Sequence, residues 1–168
     1  FERAHEDGTE PEAFAAGCLL AARVEREPGR RVALLDRATA TLLELGRPKD
    51  ALDALLAVPV EPQVLRLVIR RAECLALLGE TLEAILALET AVHDPHLIRD
   101  PQLFFALRLL TVLHLGLDQL VEAFEALTHA HRVDRAHLLT AFELGLLAVD
   151  LDEVPTAMSV LRLVTSTA

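Results

Sequence analysis

Four histidines near the ends of two predicted helices are the side chains best suited to chemistry in this sequence: His93, His96, His129 and His131. Imidazole nitrogens bind zinc, and stacked helix pairs would bring these two helix ends together. However, the spacing matches no defined zinc motif. Histidine is also favoured at helix C-termini, where it meets exposed carbonyls and the negative end of the dipole. The sequence therefore predicts capping histidines and no metal, with zinc binding or a pH-sensitive edge as alternatives.

Other residues and motifs that could support catalysis are scarce in this sequence. The two serines, Ser159 and Ser166, lie near the C-terminus and not at a shaped turn of the kind that a nucleophile needs. No glycine-rich phosphate loop and no HExxH motif occurs. Cys18 and Cys74 fall in apolar helical stretches, which indicates reduced core residues in a cytoplasmic protein. We therefore expect no enzyme activity and no cofactor.

The composition narrows the class of partner. The 168 residues are 52% hydrophobic and 25% charged, as in a folded domain, and the net charge is −10. Nucleic acid and anionic membranes require a basic surface, so neither is expected to bind directly. The most apolar window, 103–120, contains Arg108, His114 and Asp118, which argues against a transmembrane helix. No signal peptide is expected, and a chain that begins at Phe1 is expected to be a fragment or a processed product.

Prolines mark the helix boundaries. First turns are expected at Pro11, Pro48, Pro62, Pro101 and Pro155, and helix ends before Pro28, Pro59 and Pro95. Asp100 is a predicted N-cap, and Thr9 with Glu12 forms a predicted capping box. Between these marks, apolar residues recur with the helical period. The prediction is all-α, with nine helices near 10–27, 31–45, 48–57, 62–78, 80–93, 101–115, 118–131, 134–149 and 153–166.

A helix–turn–helix unit repeats along the chain. Gly46, Gly79 and Gly116 each follow a leucine and precede a small or branched residue by five positions, and Asp152 takes the last turn. These four marks are 33, 37 and 36 residues apart. A period of this length indicates stacked helix pairs, because one pair cannot bury both of its faces alone.

The segment 71–85 resembles a tetratricopeptide repeat, with Ala72, Gly79 and Ala84 at the small-residue and turn positions. Gly145, Ala157 and Leu161 match the same pattern in the last pair. The resemblance implies one domain over 1–168, a right-handed superhelix of antiparallel helix pairs, with an N-terminal helix at 1–28 and repeats at 31–61, 62–98, 101–132 and 134–166. The departures are Val121 at an alanine position, and Leu42, Leu75 and Val112 at aromatic positions.

The resemblance also implies a binding surface, since first helices line the concave face in this family and hold partner segments there. By alignment, that face would hold Asp36, Leu43, Arg66, Ile69, Arg70, Glu73, Leu110, Leu113, His114, Phe142 and Leu146. Leu110, Leu113 and Leu146 are equally compatible with a core position. The expected function is a non-catalytic protein–protein interaction module that binds another protein or peptide. The alternative is a ligand-sensing or regulatory region of a larger bacterial transcriptional regulator. Pairing of the apolar C-terminal helices would give a homodimer.

Overall fold

The computed structural model describes residues 9–58, 60 and 64–167, apart from the side chains of Thr9, Ser166 and Thr167. This part of the chain forms nine α-helices and contains no strand. The helices are α1 (Thr9–Val24), α2 (Pro28–Glu44), α3 (Pro48–Ala57), α4 (Leu65–Leu77), α5 (Thr81–Val92), α6 (Leu103–Gly116), α7 (Leu120–Val133), α8 (Leu138–Asp150) and α9 (Val154–Thr167). No helix in these ranges combines the length and the hydropathy that crossing a bilayer requires.

The predicted boundaries agree with the structure to within about three residues, with two informative exceptions. Pro28 does not end α1 but occupies the first turn of α2, where its missing N–H costs nothing. The carboxylate of Glu27 caps this helix by accepting the backbone N–H groups of Gly29 (3.0 Å) and Arg30 (2.9 Å). α8 begins at Leu138 rather than near 134, because the His137 ring accepts the backbone N–H of Thr140 and sets the N-cap there.

The other predicted marks have mixed outcomes. Pro48 and Pro155 lie in first turns, as predicted. Pro101 and Asp100 precede α6 instead of opening it, since Gln102 is the N-cap. The carboxylate of Asp100 accepts the backbone N–H of Gln102 at 2.8 Å and so stabilises that preceding turn. Pro59, Pro62 and the Thr9 side chain of the predicted capping box lie outside the described residues.

The same turn closes four helix pairs. The backbone is left-handed at one residue of each turn, which we call the turn residue: Gly46 (φ 69°), Gly79 (φ 86°), Asp118 (φ 59°) and Asp152 (φ 59°). In every copy the N–H of the turn residue donates to the carbonyl three residues before it. The N–H of the following residue donates to the carbonyl five residues before that following residue. This is the Schellman motif, which satisfies carbonyls at the end of the first helix. An alanine that is nearly or fully buried follows five residues after each turn residue: Ala51, Ala84, Ala123 and Ala157.

The third turn corrects the predicted repeat. Gly116 is still helical, and the left-handed residue is Asp118, two positions later. The small residue of the second helix is therefore the buried Ala123, whereas Val121 is 56% exposed. The turn residues are consequently 33, 39 and 34 residues apart. The sequence comparison placed Val112 at an aromatic position of the repeat, four residues before Gly116. Counted from Asp118 instead, that position is occupied by His114.

The chain separates into two compact units, 1–87 and 88–168, which are treated individually below. In the first unit, α2 packs on α1, α3 and α4. In the second, α7 packs between α6 and α8, and α8 packs on α9. Gly145 permits this last contact, because a Cβ atom there would lie 2.5 Å from Cδ2 of Leu161. The single-domain organisation stays a prediction.

Candidate functional site

Four of the six predicted binding residues of the first unit form one ion-pair network. Asp36 on α2 lies between two arginines of α4, with its carboxylate oxygens 2.9 Å from Nε of Arg70 and 3.2 Å from Nη1 of Arg66. Arg70 also donates to the carboxylate of Glu73 at 2.8 Å. We call Asp36, Arg66, Arg70 and Glu73 the charged first-helix surface. The sequence prediction thus selected four side chains that the fold brings together.

This network is largely self-neutralising. Burial acts to lower the pKa of Arg70, but the hydrogen bonds to Glu73 and Asp36 outweigh burial and raise it above its usual value. Two arginines and two carboxylates therefore satisfy one another, and a partner would have to compete with these bonds. The two apolar residues predicted beside them, Leu43 and Ile69, are half-buried.

The equivalent face of the second unit is apolar. We call it the apolar first-helix surface, and it consists of Phe105, Val112 and Leu115 on α6 with Leu139, Phe142, Leu146 and Val149 on α8. Each of these side chains is at least 43% exposed, and the exposed fractions of Phe142 and Leu146, two predicted residues, are 43% and 48%. Scattered exposed leucines are normal on protein surfaces, but a row repeated on two helices is a recognisable docking feature.

An ion pair joins the two helices that carry this surface. The guanidinium of Arg108 on α6 donates to both carboxylate oxygens of Glu143 on α8. Arg108 precedes its turn residue by ten positions and Glu143 by nine, which are also the positions of Asp36 and Arg70. The two pairs therefore occupy equivalent places with the charges exchanged. Sequence reasoning missed Arg108, although oppositely charged residues 34 and 35 positions apart were a signal for both pairs.

Three predicted surface residues belong to the core instead. Leu110, Leu113 and His114 are 4%, 8% and 4% exposed, so none of them can contact a partner while the protein is folded. The error follows from the register: counted from Gly116, the two leucines fall six and three positions before the turn. Counted from Asp118, those positions belong to Val112 and Leu115, which are exposed.

The buried His114 is fixed by polar neighbours. Its Nδ1 donates to Oε1 of Gln119 at 2.8 Å, and its Nε2 lies 3.6 Å from a carboxylate oxygen of Glu89. Gln119 directly follows the turn residue Asp118, so this hydrogen bond ties the end of α6 to the start of α7. The arrangement indicates a structural role for His114.

The structure brings together two of the four histidines predicted as alternatives for metal. His93 and His129 line one cavity of about 140 Å³, while His96 and His131 do not line it. Nδ1 of His93 donates to the carbonyl of Glu89 at 2.7 Å, the helix-capping role that the sequence suggested. Burial lowers the pKa of His129 and of His131, and nearby cationic residues add to the effect. Within the described residues, no group of histidine, cysteine or acidic side chains is placed to hold a metal ion.

An apolar groove of about 460 Å³ opens at the last helix pair. Val154, Met158 and Leu161 of α9 form one wall, with Val149 of α8 beside them. Val154 and Met158 are 53% and 51% exposed. Asp152 and Arg162 also line the groove, and no described carboxylate forms an ion pair with Arg162.

Comparison with solved structures identifies the fold. MamA 41-end from Desulfovibrio magneticus RS-1 has a TM-score of 0.66 at 23% identity, covering 93% of this chain and 84% of that chain. A second structure of MamA has a TM-score of 0.66 at 15% identity, covering 99% and 95%. Pseudomonas aeruginosa PilF has a TM-score of 0.63 at 16% identity, covering 94% and 76%. The predicted all-α, tetratricopeptide-like repeat fold is confirmed. No protein-family model matches the sequence, and no curated protein matches it either.

Proposed function

We propose that this chain is a non-catalytic protein-interaction module whose apolar first-helix surface binds a segment of another protein. The observation that carries the proposal is the repeated row on α6 and α8, where seven large apolar side chains are exposed on neighbouring helices. Removing such side chains from water on binding is favourable by about 25 cal/mol per Å² of apolar area. The tetratricopeptide-like fold supports the proposal, because proteins of this architecture serve as interaction scaffolds.

The chemistry of the expected ligand follows from the surface. Apolar anchors would pack against Phe142 and Leu146, and the Arg108–Glu143 pair between the rows would favour a polar group at one point of the segment. The charged first-helix surface of the first unit offers no comparable apolar area. The net charge of −10 favours a neutral or basic partner over an acidic one.

The test is selection of ligands from a displayed peptide library on the immobilised full chain. We expect ligands with large apolar anchors whose affinity falls at least tenfold for Phe142→Glu and for Leu146→Glu. Leu20→Glu is the matched control, since Leu20 is an exposed leucine of α1 at 64% exposure and should bind the same ligands normally. Ligands that bind all three variants equally would refute the proposed surface.

Two secondary proposals accompany this one. The first is that the chain is a ligand-sensing or regulatory region of a larger bacterial transcriptional regulator, and the second is that it acts in the cytoplasm. A region that senses a small molecule would use an enclosed apolar cavity with a few polar groups. The observation closest to this description is the groove at α9, which is not enclosed and is lined mainly by apolar side chains. The first-helix surface therefore remains the preferred site.

A further inference from the structure

The groove at α9 has a counterpart that is already filled within the second unit. Leu120, Phe124 and Leu127 are the second, sixth and ninth residues after the turn residue Asp118. Counted from Asp152, the same positions belong to Val154, Met158 and Leu161. The wall of the groove is therefore the repeat equivalent of one face of α7.

That face of α7 is covered by α8. Leu120, Phe124 and Leu127 share a hydrophobic cluster with Leu144 and Leu147 of α8 and with Leu151 after it. Leu127 is 2% exposed as a result, and Leu120 and Phe124 are half-buried. The α9 face presents the same pattern of apolar residues, yet Val154 and Met158 are about half exposed, at 53% and 51%.

We propose that the α9 groove receives an amphipathic helix of a partner protein, which packs on α9 as α8 packs on α7. The face of that helix would carry large aliphatic side chains in the spacing of Leu144, Leu147 and Leu151, at i, i+3 and i+7. This spacing places them on one side of a helix. The occupant is specified by continuity with the α7–α8 interface, which supplies both the shape and the spacing.

Charge adds a second requirement. Arg162 lies in the wall of the groove, and at the equivalent position α7 has the uncharged Thr128. The bound helix would therefore carry a carboxylate near Arg162, where the guanidinium otherwise has no described ion-pair partner. This separates the groove from the apolar first-helix surface, for which an acidic ligand is not expected.

The probe is a labelled synthetic peptide with the sequence 138–152, in which the four residues that α8 contributes to the apolar first-helix surface are replaced by glutamate. A second peptide carries lysine at those four positions. We expect the glutamate peptide to bind the native full chain. Its affinity for the Met158→Glu variant of the chain should be at least tenfold lower. The matched control is the Val121→Glu variant, because Val121 is also exposed, at 56%. This variant should bind the glutamate peptide as tightly as the native chain does. Because the chain's net charge of −10 acts on both peptides, the informative comparison is the effect of Arg162→Glu, which should weaken binding of the glutamate peptide more than binding of the lysine peptide.

Equal binding of the glutamate peptide to the native chain and to Met158→Glu would overturn the proposal, as would no binding to either. Light scattering of the protein alone is the third measurement. A dimer that Met158→Glu dissociates would also overturn it, because a second copy would then occupy the groove. The proposed function is tested separately, by the binding of library ligands to the Phe142→Glu and Leu146→Glu variants. Failure of one proposal therefore leaves the other unaffected.

Discussion

Asp118 adopts a left-handed backbone conformation five residues before Ala123, which has no exposed surface. The same interval separates Gly46, Gly79 and Asp152 from their buried alanines, so it defines the repeat better than glycine does. Asp can adopt this conformation because its short polar side chain hydrogen-bonds locally.

The first prediction tests this register at Ala123. Ala123→Leu should lower the free energy of unfolding by about 1–3 kcal/mol, because Ala123 is fully buried in a cluster with Leu127 and Leu144 that the added atoms would overpack. Val121→Leu should change stability by less than about 0.5 kcal/mol, since the side chain points to solvent. Urea denaturation of both variants measures the difference. Equal losses would show that the register drawn from Asp118 is incorrect.

The second prediction contrasts two glycines. Gly79 has a φ of 86°, so Gly79→Ala should destabilise the protein by about 1–2 kcal/mol through left-handed strain. Gly116 is helical and has open space where a Cβ atom would lie, so Gly116→Ala should stabilise the protein by about 0.5–1 kcal/mol. Thermal unfolding of the two single variants gives the signs directly. A loss of stability in Gly116→Ala would contradict its placement within α6.

The third prediction uses the exchanged ion pairs. Arg108→Asp and Glu143→Arg should each cost about 1 kcal/mol or less, because the pair is partly solvent-screened. The double variant reproduces the Asp36–Arg70 arrangement in the second unit and should recover most of the loss. A double-mutant cycle at low salt measures the coupling, which should diminish in 1 M salt. Additive losses would show that the two charges do not interact.

The fourth prediction concerns pH. The pKa values of His129 and His131 are lowered in the folded chain, mainly by burial, so folding favours their neutral forms. Their contribution to stability is present above the unfolded-state pKa, near 6.5, and is lost as the pH falls below it. Stability should therefore decline between pH 7.5 and 5.5, and less steeply in His129→Gln/His131→Gln. Denaturant titrations at each pH provide the slopes, and parallel slopes would contradict the assignment.

The fifth prediction concerns thiol reactivity. Cys74 is fully buried, and burial together with the nearby Glu73 raises the pKa of its thiol to about 11. In a Cys18→Ser background, a thiol reagent at pH 8 should label Cys74 only after denaturant is added, since thiolate and access are both lacking. Rapid labelling of the native chain would indicate local opening of α4.

Much of the fold could be predicted from local patterns. Helical periodicity, first-turn prolines and repeated small residues act within a few positions, and they located the nine helices that the described part of the chain forms. The capping by Glu27 and His137 was not foreseen, because either residue can cap a helix or lie exposed, and only the path of the neighbouring chain decides.

The candidate site was harder to predict because burial depends on register. An alignment anchored on Gly116 was two residues out, which exchanged the exposed Val112 and Leu115 for the buried Leu110 and Leu113. Glycine permits a left-handed turn but does not require one, whereas the backbone hydrogen bonds that define the turn are not visible in the sequence.

The exchanged charges of the two ion pairs also bear on how a repetitive chain avoids misfolding. Similar helix pairs can assemble with the wrong neighbour during folding, a characteristic failure of repeat proteins. If α8 took the place of α4 beside α2, Asp36 would face Glu143; if α4 took the place of α8 beside α6, Arg108 would face Arg70. Both mispairings juxtapose like charges and are penalised, while the native pairings are not. The opposite polarity of the two pairs thus gives each helix a means of rejecting the wrong neighbour.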